Sequence, residues 1–96
     1  VRTEIFDELW QIMCDREVNP PEKSYIVDIL RHRKGVDKAL EKVGEESAEF
    51  IIAAKNSDYD QKVYEAADLF FHLMLALKSI GVEFEDVISE LESRRK

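Results

Sequence analysis

Residues 59–80 constrain the fold more than any other stretch. Val63, Ala66, Leu69, Phe70, Leu73, Leu75 and their apolar neighbours cover nearly the whole circumference of a helix. Such a helix must lie at the centre of the fold or press against a partner subunit. A single polar stripe crosses it, formed by Glu65, Asp68 and His72 at i, i+3 and i+7. Unpaired carboxylates are costly to bury, so this stripe needs a metal ion, a cation or a water-filled cleft.

The rest of the chain supplies helices for that segment to pack against. Three Gly and two Pro in 96 residues leave few turning points, which favours a small number of long helices. A first helix is predicted over 3–18, capped by Thr3 and apolar through Ile5, Phe6, Leu9, Trp10, Ile12 and Met13. Asn19, Pro20 and Pro21 stop it, because proline removes a donor and restricts the residue before it. Ser24 caps a second helix over 24–34 that turns Ile26, Ile29 and Leu30 inward. Its basic end, Arg31, His32, Arg33 and Lys34 before Gly35, suits either a charge-compensated helix terminus or a phosphate-binding rim.

A third helix is predicted over 36–56. Its apolar stripe is Val36, Leu40, Val43, Phe50, Ile51 and Ala54, with Glu46 at one border, Glu49 just beyond and Glu45 further round. Asn56, Ser57 and Asp58 make a turn and a cap. The central helix follows over 59–80 and Gly81 ends it. A last helix over 84–96 carries Phe84, Val87, Ile88 and Leu91. The expectation is one domain, 1–96, an all-α bundle of four or five helices whose core is completed by a second subunit.

Charge narrows the partners. A formal net charge of −7 argues against nucleic acid, whereas metal ions can reverse the local field for a phosphorylated small molecule. Cys14 is the sole cysteine, so no intramolecular disulfide forms and a reducing, cytoplasmic location is expected. No leader peptide is evident and no apolar run is long enough to span a bilayer, so no membrane partner is expected.

Two acidic clusters carry the chemistry. Glu45, Glu46 and Glu49 are followed, after fifteen residues, by Glu65 and Asp68. Carboxylates three residues apart share a helix face, and two helices joined by a turn bring these faces together. Glu46, Glu49, Glu65 and Asp68 then converge on a hard cation, Mg²⁺ or Mn²⁺, with Glu45 near enough to ligate or to accept a proton. The bland alternative is a solvated Lys–Glu lattice, with Lys42 pairing Glu46 or Glu45 and Lys38 a turn earlier. Di-iron bundles use Glu-x-x-His pairs, and neither cluster has His at that spacing.

Glu45, Glu46 and Glu49 followed by Glu65 and Asp68 resemble the metal motif of the MazG-like all-α nucleotide pyrophosphohydrolase superfamily. The wider context, residues 37–49, then Ala53, Ala54, Lys55 and Asn56, then 65–73, is similar to the phosphoribosyl-ATP pyrophosphohydrolase family. The Ser24, Tyr25 start and the Gly81, Val82 turn resemble it too. The resemblance implies Mg²⁺-dependent hydrolysis of phosphoribosyl-ATP to phosphoribosyl-AMP and pyrophosphate, the second step of histidine biosynthesis. It implies Glu45 or Glu46 as general base, and Lys42, Lys55, Lys38 and Arg33 with its basic neighbours as phosphate contacts. His72 is then a support for a ligating carboxylate, a substrate contact or a satisfied core histidine. A stand-alone form without a cyclohydrolase domain is expected, as is a homodimer whose second subunit completes each site. The rival readings are a house-cleaning hydrolase of ordinary or damaged nucleoside triphosphates, and a non-catalytic helical dimer.

Overall fold

The computed structural model describes residues 2–95, and among them all regular structure is helical: α1 (Ile5–Val18), α2 (Tyr25–Leu30), α3 (Val36–Ala54), α4 (Tyr59–Ser79) and α5 (Phe84–Ser93). The all-α expectation stands. The stops act as their chemistry dictates. Asp58 accepts a hydrogen bond from the Gln61 N–H at 3.1 Å and caps α4. Gly81, at φ +79°, closes it with the Val82 N–H donating to the Leu77 carbonyl at 2.9 Å. That left-handed position favours glycine, and the six-to-one bond is a Schellman closure.

Each helix is somewhat shorter than its sequence suggests, and at α1 and α2 the cause is local chemistry. α1 starts at Ile5, and Thr3 does not cap it: Glu4 holds the N-cap position without a side-chain bond, while the Thr3 carbonyl accepts the Phe6 N–H at 3.1 Å. α2 ends at Leu30, four residues before the predicted boundary. The His32 imidazole accepts the Lys34 N–H at 3.1 Å, and Gly35, at φ +62°, redirects the chain into α3. Arg33 and Lys34 therefore lie in a connecting turn and not in a helical last turn. Helix α3 ends at Ala54 and α5 at Ser93, each within a turn of the predicted end.

α3 and α4 fold back on each other and form the body of the domain. Ala39, Glu46 and Ala53 are the buried residues of α3, one every seven residues and hence on one face. This corrects the predicted stripe: Val36, Leu40, Ile51 and Ala54 are exposed on the outer side. The small side chains of Ala39 and Ala53 let α4 approach, and Glu46 sits in the middle of the seam instead of at a border. The main core gathers Trp10 and Met13 of α1, Ile26 and Ile29 of α2, Ala39, and Met74, Leu75 and Ala76 of α4. Phe84 stacks on Trp10 at 5.6 Å and on Phe6 at 6.0 Å, pinning the start of α5 to α1.

Leu75 is fully buried. Truncating it removes apolar contacts and leaves a cavity, which costs about 2–5 kcal/mol, against a total of about 5–15 kcal/mol for a domain. Leu75→Ala is expected to lower the urea midpoint by a large fraction; an unchanged midpoint would mean the core is not where it is described. No helix among the described residues is long and apolar enough to cross a membrane.

Candidate metal centre

The turn between α3 and α4 decides the site. Because the helices run back along each other, Glu46 meets Asp68 while Glu49 meets Glu65. One carboxylate oxygen from each of the four lies within 4.8 Å of all the others. The two acidic clusters thus come together as their spacing predicted. Glu46 is 4 % exposed, and its Oε2 is buried with no hydrogen-bond partner. A buried carboxylate oxygen without a donor is unfavourable; a cation would satisfy it. This orphaned oxygen, with three more hard oxygen donors beside it, fits a divalent ion such as Mg²⁺.

One ammonium offsets this charge. Lys42 Nζ lies 2.9 Å from Glu45 Oε2 and 3.4 Å from Glu46 Oε1. Its hydrogen bond to Glu45 holds its pKa above the ordinary lysine range, although burial pulls the other way. Lys42 therefore stays charged. Asp68 titrates above the usual carboxylate range, first through burial and then through the neighbouring Glu46. Two crowded carboxylates resist ionising together, and a proton or a cation relieves them.

The other predicted residues separate into those near the cluster and those away from it. Glu45 is half-exposed on Lys42 and is not among the four convergent carboxylates. Lys38 leans on Glu41 at 3.7 Å, which Lys34 also binds at 3.0 Å. Lys55 is the exposed C-cap residue of α3, and Arg33 is exposed in the turn after α2. His72 is 4 % exposed, with Nδ1 2.8 Å from the Asp68 carbonyl oxygen and 3.2 Å from Asp68 Oδ1.

Sequence reasoning missed Tyr25. Its hydroxyl is 2.6 Å from His72 Nε2, and burial raises its pKa despite the nearby Lys42. Tyr25 and His72 lie 47 positions apart on different helices, so no local periodicity could join them. A second omission is the cleft of about 200 Å³ beside the cluster, where Ile52, Asn56 and Gln61 join Glu49 and Glu65. Asn56, expected in the turn and in the motif similar to the family's, also lines this cleft.

Comparison with known proteins identifies the setting of this centre. The family model for phosphoribosyl-ATP pyrophosphohydrolase matches residues 6–95. The phosphoribosyl-ATP pyrophosphatase of Methanoculleus marisnigri is 52 % identical over 92 residues, which cover 96 % of this chain and 95 % of that protein. The protein of the same name from Methanocorpusculum labreanum is 55 % identical, covering 95 % and 88 %. That from Methanocella arvoryzae is 50 % identical, covering 97 % and 98 %. The chain belongs to the phosphoribosyl-ATP pyrophosphohydrolase family, enzymes that hydrolyse phosphoric anhydride bonds.

Proposed function

We propose that this enzyme hydrolyses phosphoribosyl-ATP to phosphoribosyl-AMP and pyrophosphate, the second step of histidine biosynthesis, with Mg²⁺ held by Glu46, Glu49, Glu65 and Asp68. Mn²⁺ has similar ligand preferences and would serve in its place. The observation that carries this reading is the orphaned, buried Glu46 Oε2 among three other convergent carboxylates. Bound there, the cation would offset the charge of the triphosphate and of the leaving pyrophosphate, and would make the attacking water more acidic.

The protein's own groups do the remaining work. Glu45 stands outside the convergent set and is half-exposed, so it is the carboxylate left to take the proton of the attacking water. The water oxygen bonds to the α-phosphorus as the bond between the α- and β-phosphates breaks, and pyrophosphate leaves with the electron pair. Lys42 keeps Glu45 and Glu46 in place and adds positive charge beside the substrate. Lys55, Lys38 and Arg33 supply further cationic contacts to phosphate oxygens. The cytoplasm is the natural site for such chemistry.

A homodimer accompanies this reading. Phe70 is 53 % exposed, Leu73 46 % and Leu91 58 %, and they border a wholly apolar groove of about 250 Å³ between α4 and α5. α5 has no buried residue of its own. A contiguous apolar surface of this kind is what a second subunit covers.

The deciding experiment supplies purified protein and Mg²⁺ with phosphoribosyl-ATP beside dCTP and dUTP, and measures pyrophosphate release. Phosphoribosyl-ATP is expected to have the highest kcat/KM, with release lost in EDTA. Preference for a free deoxynucleotide would point to house-cleaning and reject the histidine-pathway reading.

A further inference from the structure

His72 has both ring nitrogens spent. Nδ1 faces the Asp68 carbonyl at 2.8 Å and Asp68 Oδ1 at 3.2 Å, and the carbonyl and an ionised carboxylate are acceptors only. Nδ1 must therefore carry a proton. In the neutral ring Nε2 is then a lone pair, and the group placed on it is the Tyr25 hydroxyl at 2.6 Å. Tyr25 donates. The imidazole is also wedged edge-on, against Tyr25 at 5.6 Å and Phe71 at 5.2 Å, both at 85°. It lies within ligating reach of Glu46 and Asp68, with Nδ1 already turned to the Asp68 backbone.

We propose that Tyr25 is a positioning residue of the metal centre: its hydroxyl fixes His72 as the Nδ1–H tautomer, whose proton goes to the Asp68 backbone carbonyl and lies against Oδ1, anchoring Asp68 where its carboxylate faces the cluster. The proposal rests on the metal reading above. It makes His72 a donor to the backbone of a ligating residue and not a ligand, and it ties α2, through one hydroxyl, to a centre built on α3 and α4. Partners that orient ligating groups are worth about 10–100-fold in metal affinity.

Three measurements test it. Nitrogen-15 NMR of the neutral imidazoles is expected to show His72 protonated at Nδ1 and bare at Nε2, with and without Mg²⁺. Calorimetric Mg²⁺ binding is expected to weaken by about 3–10-fold in Tyr25→Phe and about 10–100-fold in His72→Leu. His72→Asn, whose amide N–H replaces the Nδ1 donor, is expected to recover most of that loss. In the His72→Leu background, Tyr25→Phe should add nothing, because its effect runs through the ring. Phe keeps the packing of Tyr25 on Phe71, so this variant folds.

An Nε2–H tautomer in the unsubstituted protein would overturn the proposal. So would a Tyr25→Phe loss as large without His72 as with it, since Tyr25 would then act directly. Glu46→Gln checks the underlying centre separately. Unchanged Mg²⁺ binding there would reject the centre and this proposal together, whereas the wrong tautomer would reject the role of Tyr25 alone.

Discussion

Glu46→Gln is expected to cut turnover by on the order of 10²–10³-fold, a loss typical for one group that stabilises developing charge, while raising the melting temperature of the metal-free protein. Glu46 is 4 % exposed with Oε2 unpartnered, so it brings into the seam a charge that Lys42 offsets at one oxygen only. The amide removes that charge and can donate to Asp68. It loses the ion pair with Lys42, which at 3.4 Å is the longer of that ammonium's two bonds. A net gain of about 1 kcal/mol corresponds to about 4–8 °C in Tm for a domain of this size. Mg²⁺ at a hundred times its Kd adds about 2.7 kcal/mol to a protein that binds it only when folded. Thermal scans with EDTA and with Mg²⁺ should find that increment in the unsubstituted protein and not in the variant. A lower Tm in EDTA, or equal stabilisation of both proteins by Mg²⁺, would contradict the assignment of Glu46.

Leu73→Glu is expected to separate the proposed dimer. Leu73 is 46 % exposed and lines the apolar groove. Near a two-fold axis the same patch faces itself, so each substituted chain meets apolar surface or a second carboxylate. Burying charge in this way costs several kcal/mol, and each 1.4 kcal/mol is about tenfold in Kd. Sedimentation velocity should move from a dimer to a monomer of unchanged helicity, with turnover falling alongside if the second subunit completes the site. A variant that remains a dimer would move the contact elsewhere, and the exposed Ile51 and Ile52 of α3 would be the next face to probe.

The convergence of Glu46, Glu49, Glu65 and Asp68 was legible because one-dimensional spacing survives folding. Carboxylates three apart on each of two helices need only a short turn to meet, and Asn56, Ser57 and Asp58 announced that turn. What spacing could not tell was which face of α3 turns inward. Valine, leucine and isoleucine mark a face as apolar, not as buried in the same subunit, and α3 instead buries Ala39, Glu46 and Ala53. Hydropathy also cannot separate surface kept for a partner from core. The end of α2 was misplaced for another reason: a run of good helix formers was broken by the His32 ring accepting the Lys34 N–H, a bond that exists only once the turn is made. Tyr25 was invisible because its partner, His72, is brought to it only by tertiary packing.

The alanines that flank Glu46 have a consequence for which ions the site can accept. Ala39 and Ala53 are two turns before and after it on the same buried face of α3, so the residues that flank it there are no larger than a methyl group. Oxygen ligands close on Mg²⁺ at about 2.0–2.1 Å and on Ca²⁺ at about 2.3–2.6 Å, a difference smaller than one methylene. If the proposed cation sits there, a bulkier residue at either alanine is expected to shift the preference between the two ions from a distance, which calorimetric Mg²⁺ and Ca²⁺ binding would read.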